Sequence, residues 1–559
     1  MHFFFKLLVL LLLQFIKMNF AESYTCPVQE PLSVRSSDAE YGKKPYVEGG
    51  ERVFFKGKVQ EWGGNSDEVT SPIIDESTGK RTVIGRMARM SAKDAEDAVA
   101  TSVDAWNSGQ GEWPRMSAQA RVEALERVIA DLRARRVELA RTLMWEICKS
   151  ESDAQSEIDR TLVFMEETIV AYRRMDTQTA GVWGKVQGFF NKVRRAAIGI
   201  MLCVGPYNYP FNETYATLIP GLLMGNVAIM KLPAVGGLAH VLTMELYAKH
   251  LPKGVLQFVS GSGRETIPAM MRTGKIDVLA FIGGSRTADT IIKEHPHPHR
   301  LKVFLQLEGK NLGIVTPSVD VDAAVKEVTT GATNFNGQRC TAIKLVLVHE
   351  SKAQEFAEKL SASISALPAG LPWEKGVKIT PLPEPKKPAY LEGLIADAVG
   401  KGAAVINANA GGGVIRGGLM IPAVVYPVTS DMRLWEEEQF GPVVPIATYR
   451  STQDVVDYLH DSVYGQQASV FAKDMTDAAP LVDALANVVG RVNINTQCSR
   501  SPDTIPFSGR RSSALGTMSL TEALNVFSVE TVVAGKENLF LAPMTEALDR
   551  LATFLRPLK

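Results

Sequence analysis

The chain has no excess of either charge: 61 Lys and Arg are matched by 61 Asp and Glu over 559 residues. That balance argues against nucleic acid as the principal partner, though it leaves room for a local basic pocket. Cysteine is scarce: Cys26, Cys148, Cys203, Cys340 and Cys498. The number is odd, the spacings are wide and no Cys-x-x-Cys occurs, so neither a disulfide framework nor a cysteine-based zinc site is expected, and no metal is assigned. Single thiols suit a soluble reducing compartment such as cytoplasm or plastid. There is no internal repeat and no low-complexity tract. Apolar runs of membrane length are missing too. The stretch Leu7–Leu13 behind Lys6 has signal-peptide length. Asn19-Phe-Ala21 lacks a small residue at the −3 position, and Met18 offers a later start. Residues 1–23 are therefore expected to be a secretory-route leader or anchor, with a mis-assigned start as the alternative. Any membrane link would run through them alone.

What is present is a length too great for one core, so two or three domains are expected. The composition, 45% hydrophobic and 22% charged, is that of a soluble globular protein. Residues 24–80 are polar and turn-rich. Residues 92–174 carry helical spacing, opened by the cap-like Ser91-Ala-Lys-Asp94. Residues 177–197 suggest a hairpin. From Ala197 apolar runs alternate with helical segments: Ala197–Val204, Val227–Lys231, Gln257–Val259 and Val278–Ile282, each ending near Gly or Pro. Such runs predict a parallel sheet covered on both faces, with ligands beyond the carboxyl ends of its strands. A second series runs from Gly309 to Pro506, with strands expected at Leu345–Val348, Ala404–Ile406, Val443–Ile446 and Ser469–Phe471. Val526–Ala534 reads as a further strand, suited to subunit contact. His295-Pro-His-Pro-His299 is expected in a solvent loop, and Gly411-Gly-Gly413 is a weak phosphate-loop candidate because no helix follows it.

Cys340 stands behind a Gly-Gln turn, beside Arg339 and just before the apolar run Ile343–Val348. Locally, two readings stay open: a nucleophile and a buried structural thiol.

The surrounding pieces close that choice by resemblance. Gly205-Pro-Tyr-Asn-Tyr-Pro210, Met230-Lys-Leu-Pro233, Phe281-Ile-Gly-Gly-Ser285, Gly337-Gln-Arg-Cys340, Glu437-Glu-Gln-Phe-Gly-Pro442 and Pro506-Phe-Ser-Gly509 follow one another in the order seen in the aldehyde dehydrogenase superfamily, which the chain resembles from about residue 60 to 540. Within it, Gly337-Gln-Arg-Cys-Thr-Ala342 and Thr496-Gln-Cys-Ser-Arg500 look like those of the non-phosphorylating, NADP-dependent glyceraldehyde-3-phosphate dehydrogenases. The resemblance implies an α/β fold of two doubly wound parallel-sheet domains plus a small β oligomerisation arm. Its expected limits are a cofactor-binding domain over 24–308 with the 177–197 hairpin inserted, a catalytic domain over 309–506, and a C-terminal arm and tail over 507–559. A homodimer or homotetramer is implied.

It also implies roles. Cys340 would be the nucleophile, forming a thiohemiacetal and then a thioester that water releases as the acid. Asn208 and the Cys340 backbone N–H would hold the oxyanion. Lys231 and Glu438 would bind ribose, Phe440 would flank the nicotinamide, and Gly283, Gly284 and Ser285 would open a helix facing the pyrophosphate. Ala234 stands where a carboxylate would repel a 2′-phosphate, so NADP is permitted and NAD is possible. A phosphorylated aldehyde would be held by Arg160, Tyr209, Arg339 and Arg500, although Arg160 also reads as a surface arginine paired to Glu157 or Asp159.

The chain departs from the family where its general base belongs. Leu305-Gln-Leu-Glu-Gly-Lys310 puts Gln306 in the place of the base and Glu308 in that of a glycine. If residues 303–308 are extended, 306 and 308 share a face, and Glu308 is expected to act as the relocated base. The expected reaction is oxidation of glyceraldehyde 3-phosphate to 3-phosphoglycerate with NADP. The alternatives are a semialdehyde or aliphatic aldehyde dehydrogenase, an acylating coenzyme A-dependent enzyme, and a catalytically impaired homologue.

Overall fold

Apolar runs bounded by Gly and Pro become sheet strands in the computed structural model, which describes residues 43–180, 182–539 and 542–558. The expected leader lies outside the described residues. Among them, no helix is long and apolar enough to cross a membrane. The chain divides into two compact units. One comprises 43–71, Arg81–Glu308 and the described residues from Arg500 on; the other comprises Pro72–Lys80 and Gly309–Ser499.

In the first unit six strands lie in the order Leu256–Val259, Val227–Lys231, Ile200–Val204, Val278–Ile282, Lys302–Gln306 and Ala514–Leu515. The first five are parallel, and the last runs antiparallel to Lys302–Gln306. Chain order reverses direction between Ile200–Val204 and Val278–Ile282, so the crevice beyond their carboxyl ends is the favoured ligand position of such a sheet. The apolar run expected as one strand from Ala197 is split in two. The N–H groups of Ile198 and Gly199 donate to Asn226 Oδ1 at 2.8 and 3.1 Å instead of to a ladder, so Phe189–Ala197 and Ile200–Val204 are separate strands.

Phe189–Ala197 pairs antiparallel with Gly184–Val186 and, over nine residues, with Ser528–Lys536. The expected hairpin therefore starts later than residue 177, because helix Glu151–Ala180 runs on through that position. The C-terminal residues do not stand apart as an arm. Helix Leu520–Val526 packs on helices Glu151–Ala180 and Pro210–Leu223, and Asn226 Nδ2 donates to Phe527 O at 2.8 Å. His295 also differs from the expected solvent loop: it is buried, and its Nε2 hydrogen-bonds Ile276 O at 3.0 Å.

The second unit is a seven-stranded sheet in the order Ala404–Val405, Ala423–Tyr426, Val443–Tyr449, Ile343–His349, Asn311–Val315, Gln467–Phe471 and Arg491–Ile494. All neighbours are parallel except the first pair. Its central strands are buried on both faces. Leu345 and Leu347 enter one apolar cluster, Val346 and Val348 the other, the period of two that a strand dictates. Asn311–Val315, Ala423–Tyr426 and Arg491–Ile494 were not anticipated as strands: two of them open on a polar residue and one contains a glycine.

Candidate active site

Cys340 lies between helix Val321–Thr333 and strand Ile343–His349, both in the second unit. Phe335, Asn336 and Gly337 turn the chain with φ of 47, 56 and 69°, a left-handed run that is costly for non-glycine residues. Asn336 anchors it, accepting from the Thr380 N–H at 3.0 Å and donating to Thr380 Oγ1 at 3.2 Å. Gly337 is required there, because a Cβ would meet Gly441 O at 2.6 Å and Ala332 O at 2.7 Å. Beyond the turn, Asn311 Nδ2 donates to the carbonyls of Cys340 (2.7 Å) and Ala342 (2.9 Å), and its Oδ1 accepts from Gln467 N–H. The backbone at Cys340 is thus clamped.

Among the described residues the thiols divide into two kinds. Cys148, Cys203 and Cys498 are buried, whereas Cys340 is partly exposed. Burial pushes the Cys203 thiol up to about 12 and Cys498 up to about 11, and Cys148 higher still. A buried protonated thiol is inert, since the thiolate is the reactive form. Arg339 turns its guanidinium toward Thr341 Oγ1 (3.2 Å) and Cys498 O (3.5 Å).

Glu438 and Phe440 belong to the same unit, and their loop is pinned from three sides. Lys344 Nζ pairs with Glu438 Oε1 at 2.8 Å and sits 4.5 Å from the Phe440 ring centre. Lys310 Nζ donates to Glu437 O at 2.6 Å and Gln439 Oε1 at 2.8 Å. The buried Gln439 amide donates to Lys344 O and Val443 O. Phe440 is held at φ +43°, a left-handed conformation that costs roughly 1–3 kcal/mol and persists only where neighbours impose it.

In the first unit, Lys231 ends its strand 4% exposed. Its Nζ donates to Leu232 O at 2.6 Å, and no carboxylate among the described residues pairs with it. Burial lowers its pKa to about 8. A buried ammonium without a counter-charge suits an incoming hydroxyl or anion. Ala234 follows in the turn after Pro233. Gly283 and Gly284 lead into helix Ser285–Lys293. The start of that helix is engaged by a side chain of the protein itself. The strand ends at Gln306, although the Leu307 N–H still donates to Ser513 O at 2.9 Å. Glu308 Oε2 accepts from the Ser285 N–H at 2.7 Å, and a Cβ on Gly284 would lie 2.9 Å from Oε1. A protein carboxylate holds the anion-attracting helix end. Gln306 is 2% exposed, and neither its Oε1 nor its Nε2 has a hydrogen-bond partner.

The proposed phosphate ligands of this unit cluster around carboxylates. Arg160 donates to both oxygens of Asp503, at 3.3 and 2.9 Å, rather than to Glu157 or Asp159, which pair with Lys149 and Arg136. Arg500 contacts the same Asp503 at 3.1 Å and Glu213 at 2.7 Å. Tyr209 precedes helix Pro210–Leu223, its ring 3.2 Å from Lys149 Nζ. Glu157 Oε1 accepts from the N–H groups of Phe211 and Asn212 and so fixes the start of the helix just after Asn208, itself 5% exposed.

Sequence reasoning missed Asn311, Lys344, Lys310, Gln439, Asp503 and Glu213. Asp503 stands three residues after Arg500, and Lys310 and Gln439 lie within the stretches Leu305–Lys310 and Glu437–Pro442; the others have no local signal.

A sequence profile of the aldehyde dehydrogenase family matches residues 64–533. The NADP-dependent glyceraldehyde-3-phosphate dehydrogenase of Streptococcus equinus is 31% identical over 488 residues, covering 86% of this chain and 97% of that one; that of Triticum aestivum is 29% identical over 476 residues, covering 84% and 92%. The solved NADP-dependent glyceraldehyde-3-phosphate dehydrogenase of Bacillus halodurans, complexed with NADP, superposes with a TM-score of 0.78 at 28% identity, over 87% of this chain and 99% of the other. Betaine aldehyde dehydrogenase of Staphylococcus aureus shares the fold at a TM-score of 0.77 and 24% identity, over 88% and 96%. The α/β fold of parallel-sheet domains is that of aldehyde dehydrogenases, and the chain belongs to the aldehyde dehydrogenase family.

Proposed function

We propose that the chain oxidises an aldehyde to its carboxylate with NADP, glyceraldehyde 3-phosphate being the substrate and 3-phosphoglycerate the product. The observation that carries the chemistry is the partly exposed Cys340 on a clamped backbone, set against three buried thiols. The relatives' names support the substrate and cofactor. In this reading the Cys340 thiolate attacks the carbonyl carbon, Asn208 donates to the oxyanion, and a water molecule later cleaves the thioester. NADP, when bound, would supply the hydride acceptor. Lys231, Glu438 and Phe440 would hold it, and the uncompensated Lys231 ammonium fits such a ligand. At the helix Ser285–Lys293 the fit requires Glu308 to release the Ser285 N–H. Glu308 remains the proposed base for the water. A homodimer or homotetramer is proposed, joined through the hairpin 184–197 and strand Ser528–Lys536.

The test is a panel of aldehydes, with and without a phosphate group, given to the enzyme with NADP or NAD, in the presence and absence of coenzyme A. Preference for the phosphorylated triose with NADP is expected. Reduction that needs coenzyme A would favour the acylating alternative, and indifference to the phosphate would favour a broader aldehyde dehydrogenase. Arg160→Ala sharpens the result. Losing one charge-assisted pair costs roughly 1.5–3 kcal/mol, so KM for glyceraldehyde 3-phosphate is expected to rise about 10- to 100-fold, while unphosphorylated aldehydes are unaffected.

Lys231 gives a pH signature. Its ammonium is fully present below its pKa of about 8, and pairing with a 2′-phosphate would raise that value in the complex. NADP affinity is therefore expected to be flat at low pH and to weaken as pH rises through 8, while NAD affinity changes less. Dissociation constants measured by fluorescence from pH 6.5 to 9.5 check this; parallel curves for the two dinucleotides would remove the 2′-phosphate from Lys231.

A further inference from the structure

We propose that Asp503 is a specificity-determining residue: its carboxylate occupies the donors of Arg160 and Arg500, so that a phosphorylated aldehyde binds only by taking those donors from it. The inference rests on reading the two arginines as phosphate ligands. All three residues belong to the first unit. Arg160 turns the Nε–Nη2 edge of its guanidinium to the carboxylate, with Nε 3.3 Å from Oδ2 and Nη2 2.9 Å from Oδ1. Arg500 Nε meets the same Oδ1 at 3.1 Å. A guanidinium fork suits phosphate and carboxylate oxygens alike. The places an incoming anion would take are thus held by an anion of the chain itself.

The balance of charge points the same way. Arg500 directs Nη1 to Glu213 Oε1 at 2.7 Å and to Asn212 Oδ1 at 3.2 Å, and Lys149 is committed to Glu157. Two guanidinium groups therefore face two carboxylates. A phosphate carrying about two negative charges near neutral pH would arrive at a cluster with no net positive charge. The side chains of Asp503 and Arg500 are only 9% and 5% exposed, so like charges brought together there repel more strongly than in open water. Arg160, at 32%, is the more accessible arginine. The backbone around Asp503 lies at the surface: the Ile505 N–H closes a turn onto Pro502 O at 3.0 Å, and of residues 501–506 only Asp503 is not exposed. Its carboxylate can leave the arginines without opening a core.

Competition for the arginines and mere orientation of them predict opposite signs. The experiment measures binding of glycerol 3-phosphate, which carries the phosphate but no aldehyde, to the full chain by isothermal titration calorimetry at neutral pH and low ionic strength. D503N keeps the shape of the side chain and loses its charge, and its dissociation constant is expected to fall about tenfold below that of the wild type. D503E keeps the charge and is expected to bind as the wild type does. A dissociation constant that rises or stays unchanged in D503N, or that falls equally in D503E, overturns the inference. D503S, with the same outcomes as D503N, serves if the asparagine variant does not fold. Arg160→Ala, titrated in parallel, separates this result from the reading beneath it. Weaker binding in that variant beside an unchanged D503N leaves the arginines as phosphate ligands and removes only the role of Asp503. Indifference to both substitutions removes the ligands themselves, and the inference with them.

Discussion

Replacing Cys340 by serine is expected to abolish aldehyde-dependent NADPH formation, with a loss on the order of 10⁴-fold or more, as when other enzymes lose a covalent nucleophile. The reason is the ionisation of the attacking atom. A thiol is partly ionised near neutral pH and its anion is highly nucleophilic, whereas an alcohol needs a base to take its proton. Serine matches cysteine closely in shape. Cys340 is partly exposed, and its clamp by Asn311 uses the backbone carbonyl rather than the sulfur. Thermal stability and dinucleotide affinity should therefore match those of the wild type, which makes the loss specific to chemistry. Stopped-flow absorbance with glyceraldehyde 3-phosphate gives the readout. A serine variant that still forms NADPH at a comparable rate would sink the covalent mechanism.

The second large effect concerns Glu308. Glu308→Gln is expected to keep the first burst of NADPH and to lower steady-state turnover by roughly 10²–10⁴-fold, the usual range for a general base. The glutamine oxygen can still accept from the Ser285 N–H that Glu308 now occupies, so helix Ser285–Lys293 should stay capped. Unchanged turnover would reduce Glu308 to that cap. The reciprocal change is informative because Gln306 lies in a buried spot where both of its polar atoms go without partners. A glutamate placed there would be pushed toward its neutral form, which suits a group that must take a proton near pH 7. E308Q/Q306E is expected to regain turnover; no gain would mean that position 306 cannot serve as a base site in this chain.

How much of this could be read from residues alone depended on distance along the chain. Val227–Lys231 and Val278–Ile282 were legible to the residue, because each apolar run meets a Gly or Pro at its end. Asn311–Val315, in the interior of its sheet, was not: it opens on the asparagine that braces Cys340 and carries a glycine. The candidate nucleophile Cys340 stands out through a local motif. Its support does not, since Lys344 meets Glu438 across 94 residues and Arg160 meets Asp503 across 343. Glu308 illustrates the remaining gap. Its sequence neighbourhood gives no sign that its carboxylate accepts from the Ser285 N–H, 23 residues away.

The sheet of the first unit has a consequence for synthesis. Its edge strand Ala514–Leu515 and, in a separate three-stranded sheet, Ser528–Lys536, the nine-residue partner of Phe189–Ala197, leave the ribosome after Ser499. Residues 309–499 supply every strand of the other sheet without waiting. During vectorial synthesis the later-made unit can therefore close before the earlier one is finished. A transcript cut short after Ser499 would yield one complete sheet beside another with an open edge, the kind of exposed border that invites aggregation.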